Sequence, residues 1–308
     1  MIGARPGSES MNAPLVTFIL VCWNHERFVR EAVMSAVRQT YPSIQLIMFD
    51  NDSRDGSRRV IEELRQEYEF QFIHQENVGL VKTLNRALKM AKGKYFTFLS
   101  GDDMQLLDKV ERQVAFMEAN PHVDMVCGNS VTIDEHGRLL GVANNNRRGL
   151  EVTFKYLMEA GNVVHGPTVM VRTKALLEEG GYDESMLLED YTLALSFAHS
   201  GRRIVHTGEL YTLYRLHANN VSNREGYDEL LAIGRAYRET PEYPSYARRQ
   251  FKGYFRMLAG ERKSDAIRLL RTEPIEWSLD DVGIGMLKLA LPHGLLRRLR
   301  KRFRGVIR

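Results

Sequence analysis

Cysteine is nearly absent from this chain: 308 residues contain only Cys22 and Cys127. Both lie in apolar runs that read as central strands, so buried thiols fit better than a disulfide or a metal site, and a reducing, cytoplasmic compartment fits that reading. Long hydrophobic runs are missing too. No uncharged apolar run reaches the ~18 residues that span a bilayer, because Lys288 interrupts even the apolar segment near the C-terminus, and a transmembrane protein is excluded. Residues 1–13 lack the continuous apolar core of a secretory signal and read as a disordered leader. No internal repeat and no low-complexity tract occurs.

Acids are absent from the last stretch. From Met286 to Arg308 there are eight Lys/Arg and no Asp or Glu, so the formal net charge of +4 divides into +8 there and −4 over the rest. Leu, Phe, Val and Ile alternate with these cations at helical spacing between Leu287 and Ile307, a pattern that suits an anionic membrane surface. A solvated or oligomer-contacting tail is the competing reading. Nucleic acid is disfavoured as a partner, because no base-stacking aromatics accompany the charges.

What is present is 44% hydrophobic content, enough for a full core, arranged in a regular order. Strands are expected at Val16–Cys22, Ile44–Phe49, Phe70–His74 and Tyr95–Leu99, with helices at Arg27–Gln39, from Ser57 through Leu64, and at Leu80–Ala91 between them. A helix at Leu107–Glu118 and a strand at Val123–Cys127 continue the pattern. The polar stretch Asn144 to Arg148 reads as a mobile loop, Val169–Arg172 as a strand, Thr173–Glu179 and Asp190–Ser200 as helices. Residues 226–308 read as a helical C-terminal region ending in the basic amphipathic tail, after a domain over 14–225. This order predicts an α/β fold: a mostly parallel sheet flanked by helices, with a C-terminal helical extension.

Two acidic turns fall where buried strands end, the edge at which open α/β sheets bind ligands. They are Asp50-Asn51-Asp52-Ser53 and Ser100-Gly101-Asp102-Asp103. Carboxylates alone repel a diphosphate, so adjacent acids in such a site imply a divalent cation, and Mg²⁺ or Mn²⁺ suits oxygen ligands. Solvated turns or helix caps are the bland alternative. A dinucleotide fold of the Gly-rich type is excluded, because Cys22-Trp23-Asn24-His25 follows the first strand without a glycine turn, and no P-loop occurs.

The segments Val16 to Asn24, Ser35-Ala36-Val37-Arg38-Gln39-Thr40-Tyr41-Pro42 and Asp50 to Ser57 resemble the N-terminal half of a family-two inverting glycosyltransferase. Asn77-Val78-Gly79, Asn85, Gly93-Lys94-Tyr95 and Asp102-Asp103 continue the resemblance. Gly180-Gly181-Tyr182-Asp183 and Glu189-Asp190-Tyr191 supply the acceptor-side signature, so residues 15 to 220 are covered in order.

The resemblance implies a glycosyltransferase A-type fold, a nucleotide-diphosphate sugar donor (UDP, dTDP or GDP), Mn²⁺ or Mg²⁺, and transfer with inversion. It implies Asp103 as metal ligand, with Asp102 at the donor ribose or in the metal shell. Asp190 matches the general base, with Glu189 and His165 on the acceptor side. Val21, Asn24, Asp50, Asn51, Asn77, Gly79 and Asp102 match donor-binding positions. His217 falls in a late motif that folds over the diphosphate, where it ligates metal or donates to phosphate; a loop histidine bonded to backbone is the alternative.

Two departures stand out. Asn51 replaces a family Asp that accepts from a pyrimidine imide, and an amide oxygen accepts without charge assistance. Ser100 replaces the first acid of an acid-x-acid motif. The implied acceptor is a glycan or lipid-linked sugar in bacterial surface polysaccharide assembly, met at the inner face of the membrane. A processive synthase is disfavoured by the missing Gln-x-x-Arg-Trp signature, and a sugar-nucleotide pyrophosphorylase by the missing Gly-rich basic loop. The remaining alternative is an inactive nucleotide-sugar-binding or scaffold protein of the same fold.

Overall fold

The computed structural model describes residues 13–143, 148–218, 220, 227–272 and 279–291. The leader up to residue 12, the polar stretch 144–147 and the basic tail beyond residue 291 lie outside these residues. The chain divides into two compact units, Met1–Leu157 with Asn162–Arg224, and Met158–Gly161 with Glu225–Arg308.

The first unit is built on β1 (Val16–Cys22), β2 (Ile44–Asn51), β3 (Gln71–Gln75) and β4 (Tyr95–Ser100), joined by α1 (Val29–Val37), α2 (Ser57–Glu67) and α3 (Leu80–Met90). All seven residues of β1 are buried, as a strand covered on both faces requires. It lies parallel to β2 on one side and β4 on the other, and β3 extends the sheet in parallel beyond β2. Helix α2 buries Ser57, Val60, Ile61 and Leu64, one face at 3.6-residue period, and α3 buries Val81, Thr83, Leu84, Ala87 and Leu88 in the same way. Phe18, Leu20, Met48, Val33 and Ile61 share one core with Leu99 and Val114. Each such fully buried side chain contributes about 1.5–3 kcal/mol.

After β4 come β5 (Met104–Gln105), α4 (Lys109–Ala119), β6 (Met125–Ile133), β7 (Leu139–Ala143), β8 (Leu150–Glu151) and α5 (Phe154–Ala160). A short 3₁₀ turn (Gly166–Thr168), β9 (Met170–Arg172), α6 (Thr173–Glu178), α7 (Glu189–His199) and β10 (Ile204–Arg215) complete the unit. The sheet order is β3-β2-β1-β4-β9-β6-β10-β5, with β7 on β6 and β8 on β10. The expected mostly parallel sheet is therefore present, with β9 inserted antiparallel between β4 and β6.

Four strands, β5, β7, β8 and β10, are additions to the sequence reading. Strand β10 mixes buried and open positions around Gly208 and Glu209, and its pairing with β6 shifts register between His206 and Thr212. No period of two survives such a bulge. Strand β6 runs on to Ile133 because tertiary neighbours bury its polar Asn129 and Ser130.

The second unit carries α8 (Tyr227–Arg235), α9 (Tyr243–Glu261), α10 (Lys263–Thr272) and α11 (Leu279–Ala290). Leu231, Phe251, Phe255, Leu258 and Ala266 form its core, with Leu289 packed against it. Among the described residues, no helix is long and apolar enough to cross a membrane.

Candidate active site

The C-terminal ends of β1, β2, β3 and β4 meet at one edge of the sheet, and the loops leaving them are stitched together by side chains. Asn24 follows β1 in the left-handed region, φ 58°, a conformation that Asn tolerates better than most residues. Its N–H donates to Ser53 Oγ at 2.9 Å and its Oδ1 accepts the Arg54 N–H at 2.7 Å. The next two backbone N–H groups are also taken: His25 donates to Ser57 Oγ at 2.8 Å and Glu26 to Asp55 Oδ2 at 3.0 Å. The β1 loop is thus held by the acidic turn after β2.

Asp50, next to last in β2, is fully buried. Its Oδ2 lies 2.8 Å from His74 Nδ1 and its Oδ1 accepts the Ser53 N–H at 3.3 Å. Asn51 points to the other face, where its Oδ1 accepts from Gln75 Nε2 at 2.8 Å and its Nδ2 donates to Thr83 Oγ1 at 3.0 Å. Both ends of the Asn51 amide are therefore hydrogen-bonded within the protein. Asn77 accepts the Gly79 N–H at 3.0 Å in a tight turn, and Gly79, at φ 85°, leads into α3. The carbonyl of Val21 accepts the Gly101 N–H at 2.8 Å, pinning the Ser100-Gly101-Asp102-Asp103 turn to β1.

In that turn the two acids diverge. Asp102 is buried with His217 Nε2 at 3.0 Å and His25 Nε2 at 3.5 Å from its Oδ2. Burial pushes its carboxyl up, but the hydrogen bond to His217 and the charge of His25 outweigh it and hold the group down to about 2. Asp103 is buried too, and its Oδ1 accepts the Arg215 N–H at 2.8 Å; desolvation and the neighbouring Asp102 push its pKa well up. One ligand atom each from His25, Asp102 and His217 lie within 4.8 Å of one another. Asp103 is not in that group: its Oδ1 faces the Arg215 N–H, and Asp102 is the acid that stands beside the two imidazoles. The test of fit is Asp102 Oδ1, a buried carboxylate oxygen with no hydrogen-bond partner, beside two imidazoles: an oxygen and nitrogen donor set that suits a divalent ion.

Sequence reasoning missed His25 and Arg215. Arg215 is the larger omission. It is buried at the end of β10, and its guanidinium donates to the Asp102 carbonyl from Nε (2.9 Å), to the Asp134 carbonyl from Nη1 (3.2 Å) and to Glu31 Oε2 from Nη2. An arginine inside the apolar strand Tyr211-Thr212-Leu213-Tyr214 was the available signal, because such a residue is buried only with partners. For His25 the signal was its place directly after β1.

The residues expected on the acceptor side gather where the start of α7 meets a strap, residues 165–169. Asp190 sits in the first turn of α7, where its Oδ2 accepts the Gly166 N–H at 2.9 Å and its Oδ1 accepts from Asn162 Nδ2 at 3.0 Å. Burial pushes its carboxyl up to about 6 against the pull of these bonds. Glu189 flanks the same glycine: a Cβ on Gly166 would lie 2.9 Å from Glu189 Oε1 and 3.6 Å from Asp190 Cβ, so only glycine fits without movement. His165 packs edge-on against Tyr214 at 4.8 Å, has Ser130 Oγ 3.0 Å from Nδ1, and is pushed down to about 4 by burial. Tyr214 and Arg215 are neighbours on β10, so one strand end touches both the strap and the Asp102 turn.

A mostly parallel sheet of this order flanked by helices, with acids at the ends of β2 and β4, is the architecture of A-type glycosyltransferases. The chain belongs to glycosyl transferase family 2, whose sequence model matches residues 17–179. It is similar to an uncharacterized glycosyltransferase of Rickettsia prowazekii, 28% identical over 234 residues and 72% of each chain. It is also similar to the Escherichia coli UDP-Glc:alpha-D-GlcNAc-diphosphoundecaprenol beta-1,3-glucosyltransferase WfaP, 27% identical over 68% of this chain and 80% of that one. The fold matches S. aureus TarS 1–349 in complex with UDP-GlcNAc, with TM-score 0.64 at 17% identity over 94% of this chain and 88% of that one. It also matches the mannosyltransferase PcManGT from Pyrobaculum calidifontis in complex with GDP-Man and Mn²⁺, with TM-score 0.59 at 15% identity over 97% and 90%. The chain is a glycosyltransferase.

Proposed function

We propose that this enzyme is an inverting, metal-dependent glycosyltransferase that moves a sugar from a nucleoside diphosphate to a glycan or lipid-linked acceptor. The observation that carries the reading is Asp190: a carboxylate fixed by the Gly166 N–H and Asn162, and raised to about 6, is ionised at neutral pH yet basic enough to take a proton. In the proposed step the acceptor hydroxyl gives its proton to Asp190 as its oxygen bonds to the anomeric carbon. The bond from that carbon to the diphosphate oxygen breaks on the opposite face, and the electron pair leaves with the nucleoside diphosphate.

Asp102, His217 and His25 would hold a divalent ion, which would supply charge neutralisation for that leaving group. Val21, Asn24, Asp50, Asn51, Asn77 and Gly79 shape the donor side, chiefly through backbone set by the bonds above. Glu189 and the neutral His165 line the acceptor side. A UDP- or GDP-sugar is supported by the ligands named for TarS and PcManGT, with dTDP the third candidate, and a lipid-linked acceptor by the diphosphoundecaprenol in the name of WfaP; a place in surface polysaccharide assembly would follow from such an acceptor. Adsorption to an anionic inner membrane face rests on the +8 of residues 286–308. We also take residues 14–225 as the catalytic domain and 226–308 as its helical extension.

The deciding experiment is calorimetry of UDP, dTDP, GDP and CDP with and without Mn²⁺, on the wild type and on Asp190→Asn. Metal-dependent binding of one nucleotide by both proteins, with sugar transfer by the wild type alone, supports the reading. Binding without transfer by either protein returns the inactive-scaffold alternative. Binding of none removes the donor assignment.

A further inference from the structure

We infer that His25 makes the metal site of this enzyme a preformed two-imidazole, one-carboxylate site that loads a divalent transition metal before any nucleotide arrives and passes over Mg²⁺. The inference rests on the proposed function only in taking this strand edge as the donor side.

The distances suit coordination. Metal–ligand bonds to imidazole nitrogen and carboxylate oxygen run to about 2.0–2.2 Å, so neighbouring ligand atoms on one ion stand roughly 3.0–3.5 Å apart. His217 Nε2 and His25 Nε2 lie 3.0 and 3.5 Å from the same Asp102 oxygen, and all three ligand atoms fall within 4.8 Å of one another, so the widest pair closes when an ion binds. The second oxygen of Asp102 is buried without a partner, which a plain hydrogen-bonded triad leaves unexplained.

Each ligand is held from behind, so little ordering remains to be done when an ion arrives. His25 is fixed through its N–H on Ser57 Oγ at 2.8 Å, and its ring lies over Gly101, where a Cβ would fall 3.1 Å from Nδ1. The His217 N–H donates to Asn220 Oδ1, Asn220 Nδ2 donates to the Arg215 carbonyl at 2.8 Å, and the Phe28 ring stands 5.1 Å from the imidazole. Arg215 Nε holds the Asp102 carbonyl. Such outer partners set ligand direction and metal affinity.

The donor types then choose the ion. Imidazole suits the borderline transition metals, whereas Mg²⁺ favours an all-oxygen octahedron and dehydrates reluctantly. Two nitrogens among three protein ligands therefore favour Mn²⁺, and Co²⁺ more strongly, over Mg²⁺.

The test uses the full chain, stripped with chelator and free of nucleotide. Calorimetry should show one Co²⁺ or Mn²⁺ per chain, Co²⁺ the tighter, and no Mg²⁺ heat at the same concentrations. Spin-echo modulation of bound Mn²⁺ should report two imidazole nitrogens in the wild type and one in His25→Ala. His25→Ala should lose about tenfold or more in Co²⁺ affinity with an unchanged far-UV spectrum and melting temperature. The idea is overturned if the wild type takes up no ion without nucleotide, if Mg²⁺ competes equally, or if a folded His25→Ala binds Co²⁺ like the wild type. Mn²⁺ uptake that appears only with UDP or GDP present would overturn it while leaving the proposed function standing.

Discussion

Asp190 Oδ2 accepts the backbone N–H of Gly166 at 2.9 Å, which couples the first turn of α7 to the 165–169 strap and fixes the direction of one carboxylate. Strap and helix start are 24 residues apart in sequence.

Asp190→Asn should keep nucleotide affinity within about twofold and lower kcat for sugar transfer by about 10²–10⁴, the usual worth of a positioned base. In the wild type the acidic limb of kcat/KM should fall near pH 6, where the carboxylate protonates. The sign for stability is the reverse of a salt-bridged acid. Because the folded pKa is raised above the ordinary 3.8, the native state binds the extra proton, and stability declines as pH rises from about 4 to 6. Urea titrations across that window should show a steeper decline in the wild type than in Asp190→Asn, where the raised carboxyl of Asp103 keeps a slope of the same sign.

Gly166→Ala should impair transfer while leaving donor binding intact. Its Cβ would press on Glu189 Oε1 at 2.9 Å and on Phe98 Cζ at 3.0 Å, and the strap must shift away from Asp190. A cost of about 1–3 kcal/mol in stability accompanies such overpacking. Steady-state kinetics with nucleotide calorimetry separate the two effects: equal losses in both would contradict the account.

Lys109 is fully buried, donates from Nζ to Thr97 Oγ1 at 2.7 Å, and is pushed well below the usual lysine range by desolvation. A neutral amine inside the fold that charges on unfolding raises stability as pH climbs from its folded pKa towards about 10.4. Lys109→Met should abolish that rise and cost about 1 kcal/mol for the lost hydrogen bond at high pH. Denaturation midpoints at pH 7 and pH 9.5 would reveal an unchanged slope if the amine were charged.

Arg215→Lys should weaken the site without emptying it. A lysine ammonium cannot reach the Asp102 carbonyl, the Asp134 carbonyl and Glu31 in one fork. Metal affinity should fall by about tenfold or more through loss of ligand orientation, whereas Glu31→Gln, which keeps an acceptor at a half-exposed position, should change it little. Equal metal affinity in Arg215→Lys and the wild type would remove Arg215 from the site.

The sequence by itself determined the sheet edge. Val16–Cys22 is apolar throughout, Ser57–Glu67 and Leu80–Met90 repeat their apolar residues at helical period, and Gly79 marks a turn; these are local signals carried by adjacent residues. Alternating strands and helices of this kind leave a mostly parallel sheet with its acids at the strand ends.

Tertiary structure alone decided which acid faces which partner. Asp102 and Asp103 are neighbours, and nothing local tells which one turns to the histidines and which to the Arg215 backbone, 112 residues away. His25 joins Asp102 across the β1–β4 pairing, and His217 reaches it over 115 residues. Asn51, polar at a strand end, is claimed by Gln75 and Thr83 from β3 and α3. Strand β10 is a strand because β6 offers it a ladder, despite the bulge that hides its period. Local periodicity reports which face a residue presents; the partner that meets that face comes from distant chain, and chemistry is decided by the partner.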